Sequence, residues 1–336
     1  MGIEKFGQID GQDVFEVTLA LPSGFSAKVL TWGAVLRDLV VPVMGKAQTV
    51  VLGLNSLEDY LAHSPSFGAT PGRFANRIGN ASFEIDGKTF HVTPNKNSKH
   101  CLHGGPMGFG KRVWSAGEMT SSSVALHLDS ADGDMGFPGH AKITCIYRLL
   151  PPMTLQIELF AETDAPTPVN LTHHSYFNLD GSADARDHHV MMNAPFYTPT
   201  DDDLIPTGEV RPVAGGAYDF TRTRAVRNAG GVVYDSNFVV STPIDMHSGM
   251  AHQATLRSHK NGLSMEVHSD QPGVQFYDGA KVNVPVTGLN GAKYGAHAGL
   301  CFEPQNFPDA PNKRHFPNSI LRKGERYSHK MEYRFR

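Results

Sequence analysis

The chain has 336 residues, of which 19% are charged, and its formal net charge is −3. Such a balance excludes functions that depend on a strong overall field, such as bulk attraction to nucleic acid or to an anionic membrane. Because β-rich domains often exceed ~200 residues, the length alone allows either one domain or two. The expected partner is a small, nearly neutral molecule.

The N-terminal stretch MGIEKFGQIDGQDVF lacks the basic start, apolar stretch and small-residue cleavage site of a secretory leader. No apolar run in the sequence approaches the ~18 residues of a membrane span. The three cysteines, Cys101, Cys145 and Cys301, are too few and too scattered for a disulfide framework. We therefore expect a cytoplasmic protein, with no membrane partner, whose thiols are reduced and mostly buried.

The clearest helical candidate is SLEDYLAH, residues 56–63. Ser56 and Asp59 have the spacing of a capping box, and Tyr60 and Leu61 follow them. The pattern extends for barely two turns, so it predicts one short helix. With 34 glycines and 22 prolines spread along the chain, long helices are not expected.

Strand patterns dominate the rest of the chain. The segment SFEIDGKTFHV places Asp86-Gly87 between two apolar runs, which predicts a β-hairpin because glycine tolerates the positive φ of a type I′ turn. Further on, apolar residues alternate with polar ones in KITCIYRLL (142–150) and TLQIELF (154–160), as in strands with one buried face. With no repeat and no linker, these patterns predict one all-β domain over residues 1–336, a large antiparallel β-sandwich.

Three motifs resemble those of other functions, but each lacks a feature that the function requires. GPMGFGKR (105–112) resembles part of a phosphate-binding loop, but Arg112 stands where serine or threonine is needed and no helix follows. The three arginines of RTRAVR (222–227) lack interleaved aromatic residues, so they do not indicate a nucleic-acid site. His173 and His174 point to opposite faces of an extended strand, so the pair does not indicate a metal site.

Three polar stretches lie in strand-like surroundings: GRFANRIG (72–79), HCLHGG (100–105) and VNLTHHSYFNL (169–179). The motifs PGVQFY (272–277) and FEPQNFPDAPN (302–312) follow them in the chain. Their order and approximate spacing resemble those of the aldose 1-epimerases, the galactose mutarotase family. The resemblance extends from Gly72 to the last strand, and it implies a galactose-mutarotase-type β-sandwich with a sugar bound in an open cleft on one sheet.

The resemblance also implies roles for individual residues. Glu303 corresponds to the general base of the family, and His174, the second histidine of the pair, corresponds to the general acid. The substrate-binding residues carried over in the same way are His103, Asn76, Arg77, Gln275 and Asp235. For Glu303 the alternative is a buried carboxylate paired with an arginine, and for Asp235 it is an ordinary turn residue.

Two positions depart from the family pattern. Ser236 follows Asp235 where the family usually has histidine, which weakens the assignment of that aspartate. Pro304 follows Glu303 where a small polar residue is commoner, and proline removes one backbone N–H beside the base. Tyr176, Tyr277 and Phe307 are aromatic residues that either stack on a sugar or simply pack.

The implied reaction interconverts the α and β anomers of a free aldohexose such as galactose or glucose. It needs one base for the C1 hydroxyl and one acid for the ring oxygen, and it calls for no cofactor and no metal. Glutamate has an ordinary pKa of about 4.3 and histidine of about 6.5, so we expect a nearby carboxylate, Glu303 or Asp235, to favour the imidazolium form of His174.

Three other functions remain open at this level. A non-catalytic carbohydrate-binding or sensing protein would keep the cleft but would not need both Glu303 and His174. A glycoside hydrolase or lyase would use Glu303 with Asp235 and would cleave a disaccharide. A phosphosugar epimerase would need cations beyond Arg77. The sequence ranks neither the possible aldoses nor the possible oligomeric states.

Overall fold

The computed structural model describes residues 2–228 and 230–336. In chain order the first strands are β1 (Gly2–Ile9), β2 (Gln12–Ala20), β3 (Ser26–Leu30), β4 (Leu36–Val43), β5 (Lys46–Thr49), β6 (Arg77–Ile78), β7 (Ser82–Ile85), β8 (Lys88–His91), β9 (Cys101–Leu102), β10 (Ser115–Met119), β11 (Ser123–Ser130), β12 (Ala141–Leu150) and β13 (Thr154–Thr163). The second half contains β14 (Thr167–Pro168), β15 (Tyr176–Phe177), β16 (His189–Met192), β17 (Phe196–Thr198), β18 (Arg211–Pro212), β19 (Arg224–Ala225), β20 (Asp235–Val239), β21 (Ala251–Arg257), β22 (Ser264–Ser269), β23 (Gly273–Tyr277), β24 (Leu300–Gln305), β25 (Ile320–Leu321) and β26 (Tyr327–Phe335).

Helical structure is limited to α1 (Leu57–His63) and a set of 3-10 turns. The turns cover Gly79–Ala81, Phe109–Lys111, Asp134–Gly136, Ala185–Asp187, Leu289–Gly291 and Ala310–Asn312. Strands account for 44% of the chain and helices for 7%, which confirms the predicted all-β class. Within the described ranges, no helix has both the length and the hydropathy that crossing a membrane requires.

The short helix and the hairpin form where the sequence predicts them. The Ser56 side chain accepts a hydrogen bond from the Asp59 backbone N–H at 3.1 Å, so it caps the first turn of α1. Strands β7 and β8 pair in antiparallel register around Asp86 and Gly87, whose φ angles are 52° and 80°. Both angles are positive, as a type I′ turn requires.

Three large sheets form the body of the molecule, and the strands β1 to β26 pair with one another in antiparallel fashion throughout the described ranges. One has five strands in the order β1-β2-β3-β4-β5. A second has nine, in the order β10-β11-β12-β13-β26-β22-β21-β16-β19. The third has six, in the order β15-β24-β23-β20-β17-β18. The pairs β6-β9, β7-β8 and β14-β25 complete the structure.

A single large apolar cluster contains buried residues from all three sheets. Val17 comes from the five-stranded sheet, Ile157 from the nine-stranded sheet and Phe302 from the six-stranded sheet, and all three side chains are inaccessible to solvent. The Tyr333 hydroxyl crosses between sheets to donate to the Phe302 carbonyl at 3.0 Å. These contacts hold the three sheets around one core, which confirms the predicted β-sandwich.

The alternation of buried and more exposed side chains that the sequence predicts for residues 142–150 is also confirmed. In β12 the side chains of Ile143, Cys145, Tyr147 and Leu149 are all buried, and the residues between them are more exposed. Cys101, Cys145 and Cys301 are free and buried, as expected.

Candidate active site

The candidate site lies on one face of the six-stranded sheet and begins with the alternation along β24. Phe302 points into the large apolar cluster, so Glu303 points to the opposite face. Glu303 pairs with Gln275 of β23, and Gln275 pairs with Asn237 of β20. Because directly paired residues share a face, these three polar side chains form one row across three strands.

A second row lies two residues along the same strands. Asp235 pairs with Tyr277, Tyr277 pairs with Cys301, and Cys301 pairs with Tyr176 of β15. The two rows share the polar face because side chains two residues apart in a strand point the same way. Glu303 is therefore tolerated inside an apolar run because it faces the site.

His173 and His174 point in opposite directions, as the sequence predicts for neighbours in an extended segment. The His173 ring lies beside the Tyr147 hydroxyl at 3.3 Å and the Ser175 hydroxyl at 2.7 Å, within the core. The His174 ring lies on the polar face, where its Nε2 is 3.6 Å from Glu303 Oε1. The structure thus brings together the two residues carried over as acid and base.

Segments 72–79 and 100–105 cover this face and pair with each other through β6 and β9. The Asn76 backbone N–H donates to Nδ1 of His103 at 3.1 Å, and the His103 N–H donates to the Asn76 carbonyl at 2.9 Å. Since Nδ1 accepts, the remaining proton of neutral His103 lies on Nε2. Gly104 allows the close approach, because a Cβ there would lie 1.9 Å from the Gly72 carbonyl oxygen.

Asn170 connects three of the sequence motifs. Its side chain, fully buried, donates to the carbonyls of Ala75 and Asn306, both at 3.3 Å, and accepts from the Asn306 N–H at 2.9 Å. These bonds tie the segment that contains Asn76 to the end of the strand that contains Glu303. One buried amide therefore fixes the relative position of substrate-binding and acid–base residues.

Arg77, Asp235 and Gln275 form a charged and polar group beside the acid–base pair. Arg77 donates to Asn76 Oδ1 and lies 3.8 Å from Asp235 Oδ2, while Gln275 Nε2 donates to Asp235 Oδ1 at 2.6 Å. The side chains of Arg77 and Asp235 are 16% and 22% exposed, whereas that of Glu303 is 2% exposed. The pair Arg77–Asp235 is thus the more accessible side of the site.

Several buried oxygens of this face have no hydrogen-bond partner among the described residues. They are Glu303 Oε2, Gln275 Oε1 and Gln305 Oε1. Buried polar atoms are normally paired, so unpaired ones in a native protein call for an explanation. All three are acceptors, which suits a ligand that is rich in hydroxyl groups.

The aromatic residues considered for stacking have different neighbours. Tyr176 is buried and stacks on the His174 ring, with centroids 5.1 Å apart and planes at 23°. Phe307 is buried against Phe316 at 5.2 Å. Tyr277 is half-buried, and its hydroxyl accepts from the Lys281 N–H at 2.8 Å. Tyr176 and Phe307 therefore act in packing.

The two departures from the family pattern lie away from the polar face. Ser236 is buried and pairs with Phe276 on the core side of β20. Pro304 pairs with Val274 on the core side of β24, and its carbonyl accepts from the Thr172 hydroxyl at 2.6 Å. Neither residue therefore alters the side chains that line the site.

Burial controls the protonation of the acid–base pair. It raises the pKa of Glu303 well above its ordinary value, a rise to which Asp235 contributes and which Arg77 opposes. It lowers the pKa of His174 to about 4. The expectation that a neighbouring carboxylate favours the imidazolium is therefore wrong for the free protein, because lost hydration outweighs attraction. Both shifts favour the neutral forms of the two groups.

One group of three side chains among the described residues has the geometry to hold a metal ion. One ligand atom each from His174, Cys301 and Glu303 lies within 4.8 Å of the others. His174 and Glu303 are also the residues predicted to transfer protons. A cation bound by the three would therefore occupy the same atoms that proton transfer requires.

The buried histidines make stability depend on pH. Burial lowers the pKa of His173 to about 3 and that of His174 to about 4. Unfolded histidine titrates near 6.5, so these groups stabilise the fold fully above that value, and the contribution is lost as pH falls from about 6.5 towards 3. We expect the free energy of unfolding, measured in urea, to decrease over this range.

The histidine contribution can be separated from that of carboxylates with the variant His173→Gln. Each proton taken up on unfolding contributes a slope of about 1.4 kcal/mol per pH unit. The slope for His173→Gln between pH 6 and 4 is expected to be smaller by up to about that amount. Identical slopes for the variant and the unchanged protein would contradict the assignment.

A family model described as aldose 1-epimerase matches residues 16–334. The chain belongs to the aldose 1-epimerase family. The human protein named galactose mutarotase is 40% identical over 91% of this chain and 90% of its own length. The aldose 1-epimerase of Escherichia coli strain K12 is 35% identical over 97% and 96%.

Solved structures agree with this membership. A GalM/aldose epimerase homologue from C. elegans has a TM-score of 0.89 and 32% identity, and the match covers 96% of this chain and 98% of that one. The galactose 1-epimerase from Lactobacillus acidophilus NCFM has a TM-score of 0.85 and 26% identity, with coverage of 100% and 98%. The aldose 1-epimerase fold thus extends over essentially the whole chain.

Sequence reasoning missed several residues of this aldose 1-epimerase site. Gln305 lies on the same face as Glu303, a position that the two-residue period of a strand indicates. Cys301 also lies on that face, whereas the sequence predicts only a buried thiol there. Arg73 is 1% exposed and holds the covering segment in place, and no pattern distinguishes it from the more accessible Arg77.

Proposed function

We propose that the protein is an aldose 1-epimerase that interconverts the α and β anomers of free aldohexoses such as galactose and glucose. The observation that carries the proposal is the pair Glu303–His174, whose reactive atoms lie 3.6 Å apart on a buried polar face. General acid–base catalysis needs two such groups within reach of one substrate. Relatives named galactose mutarotase and aldose 1-epimerase support the same reaction.

The proposed reaction uses the form of the pair in which Glu303 is a carboxylate and His174 an imidazolium. The Glu303 carboxylate then takes the proton of the C1 hydroxyl while the His174 imidazolium gives its proton to the ring oxygen. The C1–O5 bond breaks, and its electron pair goes to O5 as the C1 carbonyl forms. After rotation about C1–C2 the ring closes on its other face, with both proton transfers reversed.

The remaining polar groups are proposed to hold the sugar. Arg77, Asn76 and the Nε2–H of His103 offer donors, whereas Asp235 and the unpaired oxygen of Gln275 offer acceptors. A monosaccharide presents hydroxyls that are both donors and acceptors, so it satisfies both sets. We propose that these five residues bind the substrate and orient its C1–O5 bond between Glu303 and His174.

Two further properties of the protein are proposed, the number of its domains and its location in the cell. We propose a single domain over residues 1–336, supported by the apolar cluster that joins all three large sheets. We also propose a cytoplasmic location, which the free, buried thiols support because disulfides are rare in reducing compartments.

Polarimetry tests the function directly. Freshly dissolved α-D-galactose and α-D-glucose are expected to reach their equilibrium rotation faster with the protein than in buffer alone. The sugar composition, measured by chromatography, is expected to stay constant. Release of monosaccharides from a disaccharide would instead identify a hydrolase, and binding without any faster change in rotation would identify a carbohydrate-binding protein.

A further inference from the structure

A cavity of about 380 Å³ lies beside the candidate active site. Its walls are mostly apolar or aromatic and include Trp32, Tyr60, Pro71 and Met107. His103 is also a wall residue, so the cavity and the site share one side chain. Pockets that bind small molecules have volumes of about 300–1,000 Å³ and walls of similar character. The cavity is therefore large enough to hold a ligand or part of one.

Polar groups in the wall suit a neutral ligand with hydroxyl groups. The indole Nε1–H of Trp32 is buried and has no acceptor among the described residues. Asn95 Oδ1 accepts from the Leu102 N–H at 2.6 Å, which leaves the amide NH₂ of Asn95 as a donor. The charged wall residue is Lys111, which is exposed. A phosphate group carries about two negative charges, so these walls fit a neutral sugar ring better than a phosphate.

The polar side chains of the site follow one another in a fixed order that starts at His174. Nε2 of His174 lies 3.6 Å from Glu303, and Glu303 pairs with Gln275. Gln275 donates to Asp235 at 2.6 Å, and Asp235 lies 3.8 Å from Arg77. These contacts lead from the acid–base pair to the more accessible side of the site.

The order returns to His174 through the covering segments. Arg77 donates to Asn76 Oδ1 at 3.3 Å, and the Asn76 N–H donates to Nδ1 of His103 at 3.1 Å. The His103 ring lies edge-on to that of His174, with centroids 5.3 Å apart. The side chains thus form a closed circuit, in which the two neighbours of His174 are Glu303 and His103.

The circuit determines which part of a bound aldohexose reaches the cavity. In the proposed reaction His174 serves the ring oxygen O5 and Glu303 serves the C1 hydroxyl. A pyranose within the circuit then has C2 and C3 beyond Glu303, towards Gln275 and Asp235. C5 lies on the other side of O5, beside His103. Because C6 is attached to C5, a substituent on O6 leaves the sugar at the wall that His103 shares with the cavity.

We propose that the cavity holds a second pyranose ring linked to O6 of the reacting sugar, so that the protein acts on 6-linked reducing disaccharides such as isomaltose. This proposal rests on the proposed function, and such a disaccharide keeps the free C1 hydroxyl that the reaction needs. Burial lowers the pKa of His103 well below its ordinary value, so the ring is neutral and donates from Nε2. A glycosidic oxygen has no hydrogen but still accepts, so linkage through O6 keeps this contact.

The test compares matched disaccharides that differ only in the position of the linkage, isomaltose with maltose and gentiobiose with cellobiose. NMR magnetisation transfer between the α and β anomers at equilibrium gives kcat/KM. For at least one pair we expect the 6-linked member to have a kcat/KM about 3- to 10-fold higher, the effect of one modest additional contact. A 4-linked ring leaves the reacting sugar in another direction and does not enter the cavity. Equal values within both pairs, or higher values for the 4-linked members, would overturn the proposal.

Met107→Trp tests the location of the second ring. Met107 lines the cavity and is 48% exposed, so a larger side chain there fills part of the cavity without entering the core. The ratio of kcat/KM for the preferred 6-linked disaccharide to that for glucose is expected to fall about 3- to 10-fold. Ile3→Trp is the matched control, at a position 45% exposed outside the cavity, and should leave the ratio unchanged. An unchanged ratio in Met107→Trp would overturn the proposal.

Glucose separates failure of this proposal from failure of the proposed function. If glucose is accelerated but neither pair shows the preference, the proposal for the cavity fails and the proposed function stands. If glucose is not accelerated, the proposed function is rejected, and calorimetric titration with isomaltose and maltose decides the role of the cavity. Tighter binding of isomaltose would then support the second ring, and equal or weaker binding would overturn it. A higher kcat/KM for glucose 6-phosphate than for the 6-linked disaccharides would also overturn it, in favour of an anion site at Lys111.

Discussion

Replacing Glu303 by glutamine is expected to remove nearly all of the acceleration of anomer exchange, with a fall in kcat of about 10² to 10⁴. The amide cannot accept the proton of the C1 hydroxyl. The fold is expected to persist, because burial already favours the neutral carboxyl group and one of its oxygens has no partner. Polarimetry of α-D-galactose gives the rate, and urea unfolding gives the stability.

Glu332→Gln provides the matched control for Glu303→Gln. Glu332 is likewise buried, at 6% exposure, but it lies in β26, where it accepts from Gln156 at 2.8 Å and pairs with Arg334. The control is expected to keep its activity and to lose some stability, the reverse of the result for Glu303. Substantial activity in Glu303→Gln would show that another group is the base.

Replacing Arg73 by methionine is expected to destabilise the protein by about 3–5 kcal/mol, because several buried acceptors lose their donor at a cost of about 1–3 kcal/mol each. The buried guanidinium donates to the carbonyls of Pro138 at 2.7 Å and Gly139 at 2.8 Å, and to the Ser130 hydroxyl at 2.7 Å. Methionine fills much of the space but leaves those acceptors buried without donors. Urea unfolding monitored by fluorescence measures the loss.

The change at Arg73 is also expected to lower activity. Arg73 precedes Asn76 and Arg77 in the segment that covers the site, and its carbonyl accepts from the Asn170 N–H at 3.1 Å. Arg322→Met is the control, since Arg322 forms an exposed ion pair with Asp86 and exposed pairs contribute little. Equal stabilities of the two variants would contradict the structural role of Arg73.

Local features of the fold were predictable because they depend on neighbouring residues. Ser56 and Asp59 fix the start of α1, Asp86-Gly87 fixes a hairpin, and the alternation in 142–150 fixes one strand. The order of strands was not predictable in this way. In the nine-stranded sheet β26 lies between β13 and β22, and that pairing depends on contacts between residues far apart in the chain. No local pattern encodes such contacts.

The identities of the site residues were predictable because the family motifs contain them. The protonation of these residues was not predictable, because it depends on packing. The motifs identified Glu303 and His174, and the structure brings them to 3.6 Å. The sign of the His174 pKa shift was wrong because it depends on how completely Tyr176, His103 and the covering segments exclude water. The place of Cys301 on the polar face was not predictable, because a buried thiol in a strand usually serves only in packing.

The hydrogen bond from the Asn76 main chain to His103 has a consequence for recognition. The Asn76 backbone N–H keeps its hydrogen at every pH at which the protein is folded, so Nδ1 of His103 always accepts. The other ring nitrogen, Nε2, therefore carries a hydrogen and can only donate towards the cleft. Whichever atom of the incoming molecule lies opposite must bring a free electron pair. A sugar oxygen has such an electron pair, whereas the ammonium group of an amino sugar has none. The backbone of Asn76, which takes no part in the reaction, therefore helps to determine which sugars bind.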